Sequence, residues 1–161
     1  PNEIEQILKI HQPISRELLK QAKAMPGAED LINWCFSCKI PIALITSSTS
    51  SSVLTKTSPH AWLDCFSTKV QGDDPSLKTG KPSPDPYLLG AKRLKANPRR
   101  CWAIEDSLSG TQSALSAGCQ VWVLKNESNK NMILKLENNL NKPFYIENLS
   151  TLLNKLKEMQ S

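Results

Sequence analysis

The chain has 161 residues, 39% hydrophobic and 22% charged, with a formal net charge of +5. That length supports one domain with a core of its own. No apolar run reaches the ~20 residues of a membrane span and no signal-peptide pattern is read at its start, so the expected location is the cytoplasm.

In chain order, Asn2 and Glu5 have capping-box spacing, and Ile4, Ile7, Leu8 and His11 share one face, which predicts a helix over 2–11. Ile14, Leu18, Leu19 and Ala22 repeat the spacing in a second helix, and the turn Met25-Pro26-Gly27 sets residues 1–24 apart as a small appendage. A helix at about 27–38 leads into the apolar run Ile40 to Ile45, read as a buried strand. A Ser/Thr-rich stretch, a short helix and a strand near Phe66 to Val70 come next. Asp85 and Pro86 precede a helix carrying Tyr87, Leu88, Ala91 and Leu94. Cys101 to Ile104 reads as a strand, Ser107 to Ala117 as a helix that Gly118 can stop, and Gln120 to Leu124 as another strand. Asn126 to Asn131 reads as loop, Phe144 to Ile146 as a weak strand, and Ser150 to Met159 as a closing helix. Strands alternating with helices predict an α/β fold with a parallel sheet covered on both faces.

Five cysteines, an odd number, fit reduced thiols better than a disulfide framework. Cys35 and Cys38 form a lone CxxC, and only His11 and His60 could complete the four ligands of a zinc site. Both cysteines instead continue the apolar stripe of Ala28, Leu31 and Ile32, which favours packing. The basic residues Lys92, Arg93, Lys95, Arg99 and Arg100 lack interleaved aromatics. They read as the solvated face and end of a helix, complementing its dipole, so nucleic acid is a disfavoured partner.

Ligands of parallel α/β sheets bind at the carboxyl ends of the strands. Those ends here carry Thr46-Ser47-Ser48 and Glu105-Asp106-Ser107, with Gly80-Lys81-Pro82 between them. Hydroxyls and backbone amides after Thr46 can receive a phosphate, although such a stretch also serves as a capping loop. Gly80 lets the backbone turn and Pro82 and Pro84 stiffen the segment after it, so Lys81 can be held toward an anionic centre. Two adjacent carboxylates at the exit of an apolar strand need a cation or hydrogen bonds. Magnesium accepts one or two protein carboxylates plus phosphate, which suits Asp106 as ligand and Glu105 as a partner of its water. A helix cap by Asp106 or Ser107 is the plainer alternative.

Taken in order, these segments resemble the haloacid-dehalogenase-like (HAD) superfamily, in its branch of phosphoglycolate phosphatases and β-phosphoglucomutases. Ile42 to Ser48 is similar to the second motif, Gly80 to Asp85 to the third, and Ile104 to Ser107 with Gly110, Ala114, Ala117 and Gly118 to the fourth. The resemblance covers roughly residues 25 to 125. It implies a Rossmann-like parallel sheet with flanking helices over 25–161, preceded by the remnant of a helical cap over 1–24. It also implies Mg²⁺-dependent hydrolysis of a small phosphorylated metabolite through an aspartyl-phosphate. Thr46 and Ser47 would bind the phosphate, Lys81 would stabilise its charge, Asp106 would hold Mg²⁺ and Glu105 its water shell. The family's first motif, Asp-x-Asp at the end of a central strand, has no counterpart here. Asp73-Asp74 lies between the second and third motifs and cannot replace it. The resemblance therefore implies that the chain lacks its nucleophile and is inactive as it stands, with a missing middle strand and unpaired edges. A sugar phosphomutase would use every residue named, and a non-catalytic phosphate-binding protein would need no nucleophile.

Overall fold

The structure, a computed structural model, describes residues 17–19, 21–131 and 142–159. The helix expected over 2–11 lies outside the described residues; of the second, residues 17–19 are helical. Helix α1 (Ala28–Ser37) ends in a turn where the Lys39 backbone is left-handed and the Ile40 N–H donates to Cys35 O. That bond, with the missing N–H of Pro41, shortens the strand expected from Ile40 to β1 (Ala43–Ile45).

Thr49 caps α2 (Ser50–Thr57) by accepting from the Ser52 N–H. Strand β2 (Thr68–Val70) follows, then α3 (Asp85–Arg93), whose Pro86 stands in the first turn, where a missing N–H costs nothing. Next come β3 (Trp102–Glu105), α4 (Leu108–Ser116) and β4 (Gln120–Leu124). Ser107 caps α4 and Gly118, at φ 86°, closes it. The stretch read as loop after β4 holds a 3₁₀ turn, Glu127–Asn129, closed by a reciprocal cap between Asn126 and Asn129. Strand β5 (Phe144–Ile146) and α5 (Leu149–Glu158) complete the described elements.

All the strand pairs are parallel, but the described residues form two sheet pieces, β1–β2 and β3–β4–β5, in place of one expected sheet. Alternation along β4 sorts the core onto two faces. Val121 and Val123 pack with Ala114 of α4 and with Ala117 just after it. Trp122 and Leu124 pack with Leu31 and Cys35 of α1 and Leu152 and Leu153 of α5. On that second face Trp102, Trp122 and Phe144 form a ladder across three strands, with ring centroids 4.8 and 4.7 Å apart. No helix among the described residues is long and apolar enough to cross a membrane.

The break between the pieces is lined by β1 and β3. An apolar cavity of about 580 Å³ lies there, walled also by Tyr87, Leu31, Leu152 and Leu156. Thr46 N–H donates to Val70 O, and Gln120 N–H donates to Cys101 O. By the alternation of a parallel ladder, the backbone groups of Ala43 and Ile45, and those of Trp102 and Ile104, are then turned away from their paired neighbours and toward the gap.

Candidate active site

The carboxyl ends of β1 and β3 open on a second cleft of about 590 Å³, lined by Thr46, Ser47, Ser48, Lys81, Glu105, Asp106 and Ser107 among others. The candidate phosphate, charge-stabilising and metal residues thus reach one place, although α2, β2 and α3 separate their three segments in the chain. The loop after β1 is pinned from two sides. Thr46 Oγ1 accepts from the Ser48 N–H at 3.1 Å, and the Gly72 N–H donates to Ser48 O at 2.9 Å. A side chain at Gly72 would run into Ser47 O, so this close approach requires glycine.

Lys81 is carried by the loop before α3, which Ser113 Oγ of α4 holds by donating to Ser83 O at 2.5 Å. Its Nζ donates to Glu105 at 2.5 Å and to Ile45 O at 3.2 Å, so one ammonium joins the ends of β1 and β3. Neither side chain of the pair is more than a tenth exposed.

Glu105 sits at the end of β3 with its carboxylate over the first turn of α4. A Cβ at Gly110 would fall on that carboxylate, well inside van der Waals distance. Oε1 accepts from both Lys81 and the Tyr87 hydroxyl, and Oε2 accepts from Ser107 Oγ at 3.3 Å. Burial, and then the negative charge of Glu105, push the Tyr87 phenol far above its ordinary value, so it stays a donor. Periodicity alone gives Tyr87 only the role of an apolar helix residue. Its signal is the hydroxyl, which a buried tyrosine must pair.

Asp106 differs from its neighbour: it is exposed. Its backbone carbonyl accepts from Asn129 Nδ2 at 3.0 Å, and the same amide donates to Leu124 O at 2.8 Å, tying the end of β3 to the end of β4. Asn129 is buried and escapes the sequence reading too; the Asn-x-x-Asn capping spacing is the signal that could mark it. Asp73 and Asp74 lie apart from these groups. Asp73 accepts from the N–H and hydroxyl of Ser50, and Asp74 forms a two-pronged pair with Arg93 at 2.6 and 2.9 Å. Arg93 stays on the exposed face expected of it, where it is paired with Asp74.

A buried lysine–glutamate pair, a hydroxyl loop and an exposed carboxylate at parallel strand ends can bind an anion together with a hard cation. The sequence pattern of the haloacid dehalogenase-like hydrolases matches residues 1–124. The chain belongs to that family. It is 36% identical over 122 residues to a bifunctional riboflavin kinase/FMN phosphatase of Arabidopsis thaliana, covering 75% of this chain and 32% of that protein. It is 37% identical over 98 residues to hexitol phosphatase A of Escherichia coli, covering 61% and 44%. The solved β-phosphoglucomutase of Clostridium difficile superposes with a TM-score of 0.69 at 25% identity, covering 89% of this chain and 60% of that one. The chain thus spans about a third to a half of these two curated relatives. Its place is in the branch of the superfamily that holds phosphoglycolate phosphatases and β-phosphoglucomutases.

Proposed function

We propose that the chain is the greater part of the core of a cytoplasmic phosphomonoesterase acting on a small phosphorylated metabolite. The observation that carries this reading is Lys81, whose ammonium joins the ends of β1 and β3 beside the Thr46–Ser48 loop and Asp106. Residues 1–24 are the remnant of a helical cap, and residues 25–161 the core without its first strand. That strand belongs in the apolar gap between β1 and β3, where it would pair with both inward-turned edges. It would bring the carboxylate that attacks phosphorus, a residue this sequence does not supply in the family's Asp-x-Asp form.

In this mechanism the hydroxyl of Thr46 and the amide of Ser47 receive the phosphate oxygens, while the Ser48 N–H holds the Thr46 hydroxyl in place. Lys81 stabilises the charge that develops on them. The donor set suits magnesium: Asp106 offers a hard, exposed oxygen, and Mg²⁺ keeps several waters and takes the rest from phosphate. Among the described residues no cluster of three His, Cys, Asp or Glu exists, so a three-ligand zinc centre is not the fit. Asp106 would hold the ion and Glu105 would face its water shell; when bound, the ion neutralises phosphoryl charge. As the chain stands, without the attacking carboxylate, the expectation is negligible turnover.

The test is sequencing and intact-mass measurement of the native polypeptide, followed by assay of that protein with p-nitrophenyl phosphate and Mg²⁺. An upstream apolar strand ending in Asp-x-Asp and Mg²⁺-dependent release of phosphate support the reading. Turnover by the 161-residue chain alone would sink the assignment of the nucleophile. The superposition on a β-phosphoglucomutase keeps one alternative, a sugar phosphomutase. Incubation with sugar phosphates separates the two: free phosphate marks the phosphatase, an isomeric sugar phosphate the mutase.

A further inference from the structure

Glu105 Oε1 is shared. Lys81 Nζ and the Tyr87 hydroxyl both donate to it, and the Lys81 ammonium stands 5.4 Å from the centroid of the Tyr87 ring. An ammonium has three N–H donors. Here one goes to Glu105 and one to Ile45 O, and the third has no partner among the described residues.

Tyr87 is buried in the first turn of α3, a helix set close against β1: a Cβ at Gly90 would strike Ile45 Cδ1. The tyrosine ring therefore has a fixed place, and its π face attracts the ammonium lying near it. Its neutral hydroxyl also occupies part of the Glu105 oxygen, so the carboxylate is satisfied without drawing every Lys81 donor to itself.

We propose that Tyr87 is the positioning residue for Lys81: ring and hydroxyl together hold the ammonium so that one N–H remains for an anion in the cleft. The inference rests on the proposed role of Lys81 toward phosphate. Without the hydroxyl, Glu105 loses a donor and its carboxylate turns further onto Lys81, taking the ammonium away from the cleft.

The experiment compares the chain with its Tyr87→Phe variant, which keeps the ring and removes only the hydroxyl. The ¹H–¹⁵N signal of the Lys81 ammonium, assigned with Lys81→Met, reads the positioning directly. A resolved, slowly exchanging signal in the wild type that shifts or broadens in Tyr87→Phe is the expected result. No such signal in the wild type, or an identical one in the variant, overturns the inference. Titration with inorganic phosphate and Mg²⁺ then reads the consequence. Binding should weaken roughly tenfold in Tyr87→Phe, the size of one hydrogen bond to a charged group. The same substitution in a Lys81→Met background should change nothing further; an equal loss there would mean Tyr87 does not act through Lys81. If the Lys81 signal responds but the wild type binds no phosphate, the anion site fails while the positioning of Lys81 by Tyr87 stands.

Discussion

The Lys81 ammonium lies 2.5 Å from the Glu105 carboxylate, with 9% and 6% of the two side chains exposed. A charge pair this dry is costly to break from one side, because the remaining charge keeps its burial and loses its partner. Lys81→Met should destabilise the chain by about 3 kcal/mol, the low end for such a pair, since Tyr87 and Ser107 still donate to Glu105. The double change Lys81→Met with Glu105→Gln should recover a large part of that loss. Urea unfolding of the wild type, both single variants and the double variant measures this; strictly additive losses would refute the coupling.

Gly110→Ala sets two effects against each other. Alanine favours a helix over glycine by about 1 kcal/mol, yet its Cβ would fall on the Glu105 carboxylate. Forcing a group into a packed site costs about 1–3 kcal/mol, and the carboxylate has little room to yield. Net destabilisation, with weaker binding of inorganic phosphate, is expected from thermal melts and calorimetry. A stabilised variant would place Glu105 elsewhere.

Asp74 supplies the pH prediction. Hydrogen bonds from Arg93 hold its carboxyl below the usual carboxylate range. A depressed folded-state value adds stability that is complete above the unfolded value of about 4. It disappears as pH falls through the lower folded value. Wild type should therefore exceed Asp74→Asn in stability by a constant margin above about pH 5 and lose that margin in more acid solution. Denaturation curves of both proteins between neutral and acid pH check this; a margin that grows toward acid would give the wrong sign.

Asp106→Asn belongs to the proposed metal role. In the native protein the variant should weaken Mg²⁺ binding and cut phosphatase turnover by roughly a hundredfold, since a bound ion contributes several kcal/mol of charge stabilisation. Calorimetric titration with Mg²⁺ and an activity assay measure the two effects. Near-normal Mg²⁺-dependent turnover would remove Asp106 from the site.

Asn129→Ala should cost about 2 kcal/mol, because the Asp106 and Leu124 carbonyls would each lose a buried donor. Hydrogen exchange at the ends of β3 and β4 should rise with it. A change confined to the 126–131 turn would mean that the two strand ends are held by other contacts.

Local signals carry much of this architecture. Hydrophobic periodicity marks β4 and the bodies of α1, α4 and α5, since burial of one face leaves its period in the chain. Capping residues and Gly118 locate the ends of α4. The segments holding Thr46, Lys81 and Asp106 are legible because each turn at a strand end needs particular residue types: hydroxyls, a glycine–lysine–proline frame, paired carboxylates.

Contacts between distant segments are not legible. No spacing says that the Tyr87 hydroxyl of α3 meets Glu105 of β3, or that Asn129 reaches back to Asp106. Nor does any local pattern say that Arg93 pairs with Asp74. Such meetings depend on how close two elements pack, which glycines such as Gly90 and Gly110 permit and only the assembled fold decides. The division of labour between Glu105 and Asp106 has the same origin. The two are adjacent carboxylates in the sequence, but burial at the end of β3 gives one to Lys81 and Tyr87, while exposure leaves the other turned to the cleft.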